Sequence, residues 1–442
     1  MISSDSMPEP STLDGVDSTV KIGLLGCGNV GGALVAILQR DADTIAARTG
    51  VRLEVTRIAV RSMSKERTVA VPEHLLTHDA SSVVADPDVE LVVEVIGGIE
   101  PARTLILDAL KAGKPVVTAN KELIANVGQE LFEAAADAGV DLLFEAAVGG
   151  GIPLIRPLRE SLAGEPILRL TGIVNGTTNY ILTRMAEAGA GYADALAEAQ
   201  QLGFAERDPT ADVEGFDAGS KAAILASIAF GGRVVAGDVY REGISGIGAA
   251  DIAYAARLGY VVKLVAIAER HPDGDIAVRV HPAMVPTTHP LAAVRESFNA
   301  VFIEGGSVGE LMLYGRGAGG MPSASAVLGD LIDAAHNLRA GSVGRPLHLR
   351  PVRLRSIDEL TSAYYLDLEV ADRPGVLAAV AGVMGSHGVS IKSMEQEGTG
   401  AGARIIFVTH EARERDVQAC ITELRSLDVV LRVGTLLRVL GS

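Results

Sequence analysis

The feature that most constrains this chain is GCGNVG at residues 26–31, lying between an apolar, β-rich run (Val20–Leu25) and a helical stretch (Gly31–Arg48). In a strand–turn–helix setting each glycine has its own role. Gly26 allows the tight turn, Gly28 lets a pyrophosphate reach the backbone, and Gly31 lets helix and strand pack closely. Asn29 and Val30 complete the loop at the helix start, where free N–H groups and the positive dipole end suit phosphate. A dinucleotide-binding unit is the expectation. The next strand, Leu53–Val60, ends at Arg61 with Lys65 four residues on, where an acid for the ribose hydroxyls would otherwise stand. Two cations there suit a 2′-phosphate, so NADP(H) is favoured over NAD(H).

Short apolar runs continue to alternate with helical patterns up to about residue 153, as expected of a parallel sheet covered on both faces. Residues 1–18 are rich in Ser, Asp and Pro, read as a disordered tail, and lack the n-region and apolar core of a signal peptide. Residues 19–153 form the expected Rossmann-like domain. Residues 154–340 read as an α+β catalytic and dimerisation domain, its last helix a candidate to pack back on the first domain. Within it Ala249–Ala268 reads as helical and largely apolar, and 305–320 stands out as glycine-dense. Residues 341–362, with two prolines and four arginines, read as a linker to a compact βαββαβ module over 363–442. That linker implies a module removable without unfolding the rest.

Composition narrows the function. Against 39 Lys+Arg stand 55 Asp+Glu, a formal charge of −16, which disfavours a nucleic-acid surface. Cys27 and Cys420, the two cysteines, supply neither a disulfide framework nor zinc-ligand spacing. No apolar stretch approaches the roughly 20 residues of a membrane span. A cytoplasmic location is the expectation.

Residues 203–221 gather Glu206, Asp208, Asp212, Glu214 and Asp217 ahead of Lys221. Asp217 and Lys221, at i and i+4, share a helical face, and a neighbouring carboxylate keeps a lysine charged and ready to donate a proton. On spacing alone a surface salt bridge at a helix start is the better explanation of the pair.

VIGG (95–98), VTANK (117–121), GFAERDP (203–209) and the Asp217/Lys221 pair occur in that order. Together they resemble homoserine dehydrogenases of the monofunctional kind with a C-terminal ACT domain, a small ferredoxin-like module that binds amino acids. The resemblance implies reversible NAD(P)H-dependent reduction of L-aspartate 4-semialdehyde to L-homoserine, in threonine, methionine and isoleucine biosynthesis. It makes Lys221 the general acid/base, with Lys121 near both nicotinamide and substrate, and Glu206, Asp217 and Asp212 the substrate-binding acids. Thr118, Lys121, Gly203 and Gly319 join the cofactor contacts. A structural Na+ is implied at Glu145 and the backbones of Val148, Gly150 and Ile152, where glycine-rich chain exposes carbonyl oxygens suited to a hard cation. Asp372 to Gly375 resembles the ACT effector turn, with L-threonine the implied effector and a homodimer or homotetramer the implied assembly. Two rivals remain in view. An aspartate-semialdehyde dehydrogenase needs a cysteine nucleophile, which neither Cys27 in the glycine loop nor Cys420 provides. A catalytically silent ACT-domain amino-acid sensor would have no use for Glu206, Asp217 and Lys221.

Overall fold

The computed structural model describes residues 19–64, 67, 69–398 and 403–441. The expected tail over 1–18, and Lys65, lie outside the described residues. Among the described residues no helix is long and apolar enough to cross a membrane.

The first sheet consists of β1 (Thr19–Leu25), β2 (Arg52–Ala59), β3 (Leu76–Thr77), β4 (Leu91–Glu94), β5 (Val116–Thr118) and β6 (Leu142–Leu143). Every pairing is parallel, in the order β3-β2-β1-β4-β5-β6. The order reverses between β1 and β4, and a crevice opens beyond the carboxyl ends of the strands there. Near-continuous apolar strands such as LVVE in β4, fully buried, fit a sheet covered on both faces. One cover comes from far along the chain. Helix Gly320–Ala340 returns to pack on helix Asn29–Thr49, placing Ala324, Val327 and Leu331 in one core with Ile22, Leu24 and Leu34.

The second sheet holds β7 (Ile167–Ile173), β8 (Tyr240–Arg241), β9 (Tyr260–Arg270), β10 (Ile276–Pro286), β11 (Phe298–Gly305) and β12 (Gly309–Arg316). The C-terminal module contributes β13 (Thr361–Val370), β14 (Ile391–Glu397), β15 (Arg404–Thr409), β16 (Ala412–Arg413) and β17 (Val430–Val439). Its main path runs β12-β11-β7-β9-β10-β17-β13-β15-β14. One reading changes here. The run 249–268 is a helix only to Arg257; Gly259, at φ +81°, turns the chain into β9. A continuous apolar run has no periodicity to separate buried helix from buried strand. The glycine-dense 305–320 contains β12, antiparallel to β11 throughout.

The larger revision concerns the C-terminal module. β17 adds to β10 in parallel at Ala283–Arg438 and Met284–Val439, so both modules share one sheet. The 341–362 segment lies along the catalytic body: Arg350 N–H donates to Gly231 O at 3.0 Å and Arg355 N–H to Ile276 O at 2.9 Å. Buried Arg438 donates to Glu414 of the module at 2.8 Å and to Glu242 of the catalytic body at 2.9 Å. Helix Ala249–Arg257 grips the module too, through Arg257 with Glu395 and Glu397 and through Asp251, which accepts from Thr435 at 2.7 Å.

Candidate active site

The glycine loop lies at the switch point of the first sheet. A side chain on Gly31 would place Cβ 2.2 Å from Gly26 O, and one on Gly26 (φ +103°) 2.9 Å from Val95 O, whereas Gly28 faces open space. These are the close-packing and close-approach roles expected of the motif. A cleft of about 540 Å³ opens here, walled by Gly26, Gly28, Val60, Arg61, Ser62 and Arg67. Arg61 is exposed at its edge. Arg67, which the motif reading missed, donates to Ser62 O at 2.7 Å and Met63 O at 3.1 Å and so shapes the same loop. Gly203 and Gly319 are not among the cleft's wall residues. Gly203 (φ +77°) closes the turn after helix Tyr192–Gln201. Gly319 caps helix Gly320–Ala340, whose Gly320 approaches Asn29 O so closely that a Cβ would stand 2.8 Å away.

At the carboxyl end of β5, the Thr118 hydroxyl donates to buried Glu94 at 2.6 Å and accepts from Asn120 N–H at 3.0 Å, so its side chain supports the crevice from inside. Glu94 also accepts from the N–H groups of Ile96 and Gly97. Asn120 caps the next helix by accepting from Leu123 N–H at 3.1 Å, which sets Lys121 at its first position.

Lys121 reaches across to the catalytic domain. Its Nζ lies 3.2 Å from Asp217 Oδ1, while Lys221 Nζ donates to Asp217 Oδ2 at 2.7 Å and to Val174 O at 2.7 Å. Asp217 thus bridges two ammonium groups, one on each oxygen. Burial opposes its charge, but Lys221 and Lys121, with the Asn175 hydrogen bond, hold its carboxyl at about 2. Burial lowers the Lys121 ammonium, but its pairing with Asp217 prevails and raises it. Asn175 was invisible to motif reading. Its amide donates to Asp212 at 2.7 Å and Asp217 at 2.9 Å, while its Oδ1 caps helix Gly176–Ala188 through Thr178 N–H. An Asn between a strand and a helical run is an N-cap signal, but its hold on the two acids depends on the fold. Burial pushes the Asp212 carboxyl up. Glu206 stands apart on an exposed loop, its side chain making no hydrogen bond or ion pair among the described residues.

Buried Glu145 sits where the two domains join. Its carboxylate accepts from the N–H groups of Leu154, Ile155 and Arg156 at 2.5, 2.9 and 2.7 Å. Val148, Gly150 and Ile152 are buried, and among the described residues no donor reaches their carbonyls.

Family models match both the dinucleotide-binding half and the catalytic half of this arrangement. The family model "Homoserine dehydrogenase" matches residues 153–332, "Homoserine dehydrogenase, NAD binding domain" residues 26–145, and "ACT domain" residues 364–429. The homoserine dehydrogenase of Corynebacterium glutamicum is 50% identical over 442 residues, covering 99% of each chain. The chain belongs to the homoserine dehydrogenase family. The Mycobacterium tuberculosis homoserine dehydrogenase is 49% identical, covering 97% of this chain and 100% of that one. The crystal structure of the Thiobacillus denitrificans homoserine dehydrogenase superposes with a TM-score of 0.90 at 42% identity, over 95% of this chain and 98% of that one. A hyperthermophilic archaeal homoserine dehydrogenase in complex with NADPH gives 0.61 at 32% identity, over 74% and 99%. The enzyme is a homoserine dehydrogenase-type oxidoreductase acting on a CH–OH group, with a nicotinamide-dinucleotide domain and an ACT domain. The sensor and aspartate-semialdehyde dehydrogenase alternatives fall with that assignment.

Proposed function

We propose that Lys221 is the general acid/base of L-aspartate 4-semialdehyde reduction, assisted by Lys121. The observation that carries this reading is Asp217 bridging both ammonium groups. The dinucleotide, when bound, supplies or accepts the hydride. Asp217 and Val174 O take two of the three Lys221 protons, leaving one to direct at the substrate oxygen as negative charge develops there. Lys121, on the other oxygen of Asp217, adds positive potential to the same space. Asp212 offers negative charge to the substrate's α-ammonium, with Glu206 brought in from its exposed loop. In the reverse direction Lys221 takes the alcohol proton. Lys221→Ala is expected to lower kcat by about 10²–10⁴-fold while NADPH binding persists. Steady-state turnover with fluorescence titration of NADPH checks this, and a variant keeping a tenth of wild-type kcat overturns the role.

NADP(H) preference is supported by exposed Arg61 beside Ser62 and Arg67 on the cleft wall. Arg61→Ala should weaken NADPH by about 1.5–3 kcal/mol, the range for hydrogen bonds to charged groups, and leave NADH nearly unchanged. Equal losses reject the 2′-phosphate assignment. The buried carbonyls of Val148, Gly150 and Ile152 suit a structural Na+, with Glu145 orienting that segment rather than ligating through its carboxylate. L-Threonine as effector at the Gly375 turn, homodimer or homotetramer assembly, and a cytoplasmic location complete the reading. Edge strands β12 and β14 carry exposed Tyr314 and Met394, which supports assembly.

A further inference from the structure

A short stretch of chain, residues 240–245, touches both the C-terminal module and the acids of the candidate active site. It begins as β8, parallel to β10 through Tyr240–Arg279 and Arg241–Val280, and Glu242 N–H extends that ladder to Val280 O at 2.8 Å. Here the module takes hold. Arg438 of β17, 3% exposed, lies 5.4 Å from the centre of the Tyr240 ring and donates to Glu242 Oε1 at 2.9 Å. The Tyr240 hydroxyl donates to the same oxygen. Glu414 accepts from Nε and Nη2 of Arg438 at 2.8 Å each, which fixes the guanidinium in place.

The other end of the stretch rests on the turn that carries Asp212 and Asp217. Ile244 N–H donates to Val213 O at 2.8 Å, and the Ser245 hydroxyl to Glu214 Oε1 at 2.8 Å. Gly243 sits so close that a Cβ would stand 2.5 Å from Val213 O and 2.6 Å from Glu214 Oε2. Arg241 lies along helix Phe216–Phe230. A Cβ on Gly219, between Asp217 and Lys221, would stand 2.8 Å from Arg241 Cδ, and the Arg241 guanidinium lies 4.7 Å from the centre of the Phe216 ring. Asp217 is held from other sides by Lys221, Lys121 and Asn175. Asp212 immediately precedes Val213 and follows any movement of this contact most directly. A small displacement of a substrate contact is enough to weaken it.

We propose that Glu242 is a positioning residue for the substrate: gripped by Arg438, it holds residues 241–245 against the turn and so fixes Asp212 for the substrate's α-ammonium. The C-terminal module thereby contributes to substrate affinity with no effector bound. The inference rests on Asp212 being a substrate-side acid, as proposed above.

The test is steady-state kinetics of the full chain with L-aspartate 4-semialdehyde varied, beside NADPH titration. Glu242→Ala leaves Arg438 paired with Glu414. It is expected to raise KM for the semialdehyde about 2- to 30-fold, the scale for residues that touch neither ligand, with kcat and NADPH affinity near wild type. Glu242→Gln keeps an acceptor oxygen for Arg438 and should restore most of the loss. Gly243→Ala leaves the grip intact but pushes on Val213 O; it should raise KM in the same way and serves if Glu242→Ala folds poorly. In an Asp212→Asn background Glu242→Ala should add little, because both act through one contact. An unchanged KM in Asp212→Asn alone rejects that acid's role and the inference with it. A raised KM in Asp212→Asn with none in Glu242→Ala and Gly243→Ala overturns the inference alone. So do fully additive losses, or an equal loss of NADPH affinity, which marks general loosening.

Discussion

Asn175 is the residue on which the site's geometry depends most after the lysines. Its amide donates to both Asp212 and Asp217, so it sets the distance between the substrate-side acid and the acid that holds Lys221. Asn175→Ser retains an oxygen to cap helix Gly176–Ala188 but cannot reach both carboxylates. We expect kcat/KM to fall by about 1.5–3 kcal/mol, the scale of a lost hydrogen bond to a charged group, with NADPH affinity and helix content unchanged. Asp217 should also lose part of its depression. With its folded value at about 2 against an ordinary 3.8, its contribution to stability is complete above 3.8 and is lost only as pH falls through 2. The acid limb of kcat/KM in wild type therefore should not report Asp217; in Asn175→Ser the already raised Asp212 also loses the hydrogen bond that lowers it, so that limb should move upward. A pH–rate profile that is identical in both proteins rejects the positioning role.

Among the elements, β9 carries an unusual load. Lys263 in its middle is 4% exposed and donates to Asn179 Oδ1 at 2.9 Å and Val294 O at 2.6 Å, tying helix Gly176–Ala188 to the turn before β11. No carboxylate pairs with it within salt-bridge distance among the described residues, and burial lowers its ammonium from 10.5 to about 8. The folded state therefore sheds this proton earlier than the unfolded chain. Between about pH 8 and 10.5 the unfolded state binds more protons, so this lysine's contribution to stability rises with pH. The Tm of wild type should gain on that of Lys263→Met across this window; parallel Tm curves for the two proteins would exclude a depressed Lys263. The same strand shows why part of the fold was hidden in sequence. Tyr260–Arg270 continues the apolar run of the preceding helix, and only the backbone of Gly259, at positive φ, marks where helix becomes strand.

At the scale of the whole molecule, the C-terminal module is built into the catalytic body. Removing residues from Arg355 onward strips β17 from β10, takes Glu397 and Arg404 away from Tyr254, and leaves Glu242 without Arg438. One face of the Rossmann-like sheet packs in a core to which, among the described residues, the C-terminal module contributes none. Truncation is therefore expected to keep NADPH binding near wild type, abolish any threonine response, lower Tm by several degrees and expose apolar surface. NADPH titration, calorimetry and dye binding measure these separately. A truncated protein as stable as the full chain would show that the shared sheet contributes little.

What the sequence determined by itself was local and periodic. The glycine loop, the alternation of strands and helices, the i, i+4 placement of Asp217 and Lys221, and the βαββαβ module follow from spacing and steric rules acting within a few turns of chain. The family resemblance added order among distant motifs. Tertiary structure decided everything that depends on residues far apart meeting in space: Lys121 crossing to Asp217, Asn175 joining two acids, Glu145 satisfied by three amides, and Arg438 locking two modules into one sheet. The physical reason is range. Propensity, capping and turn chemistry act between neighbours, whereas burial and charge pairing depend on which surfaces the folded chain brings together.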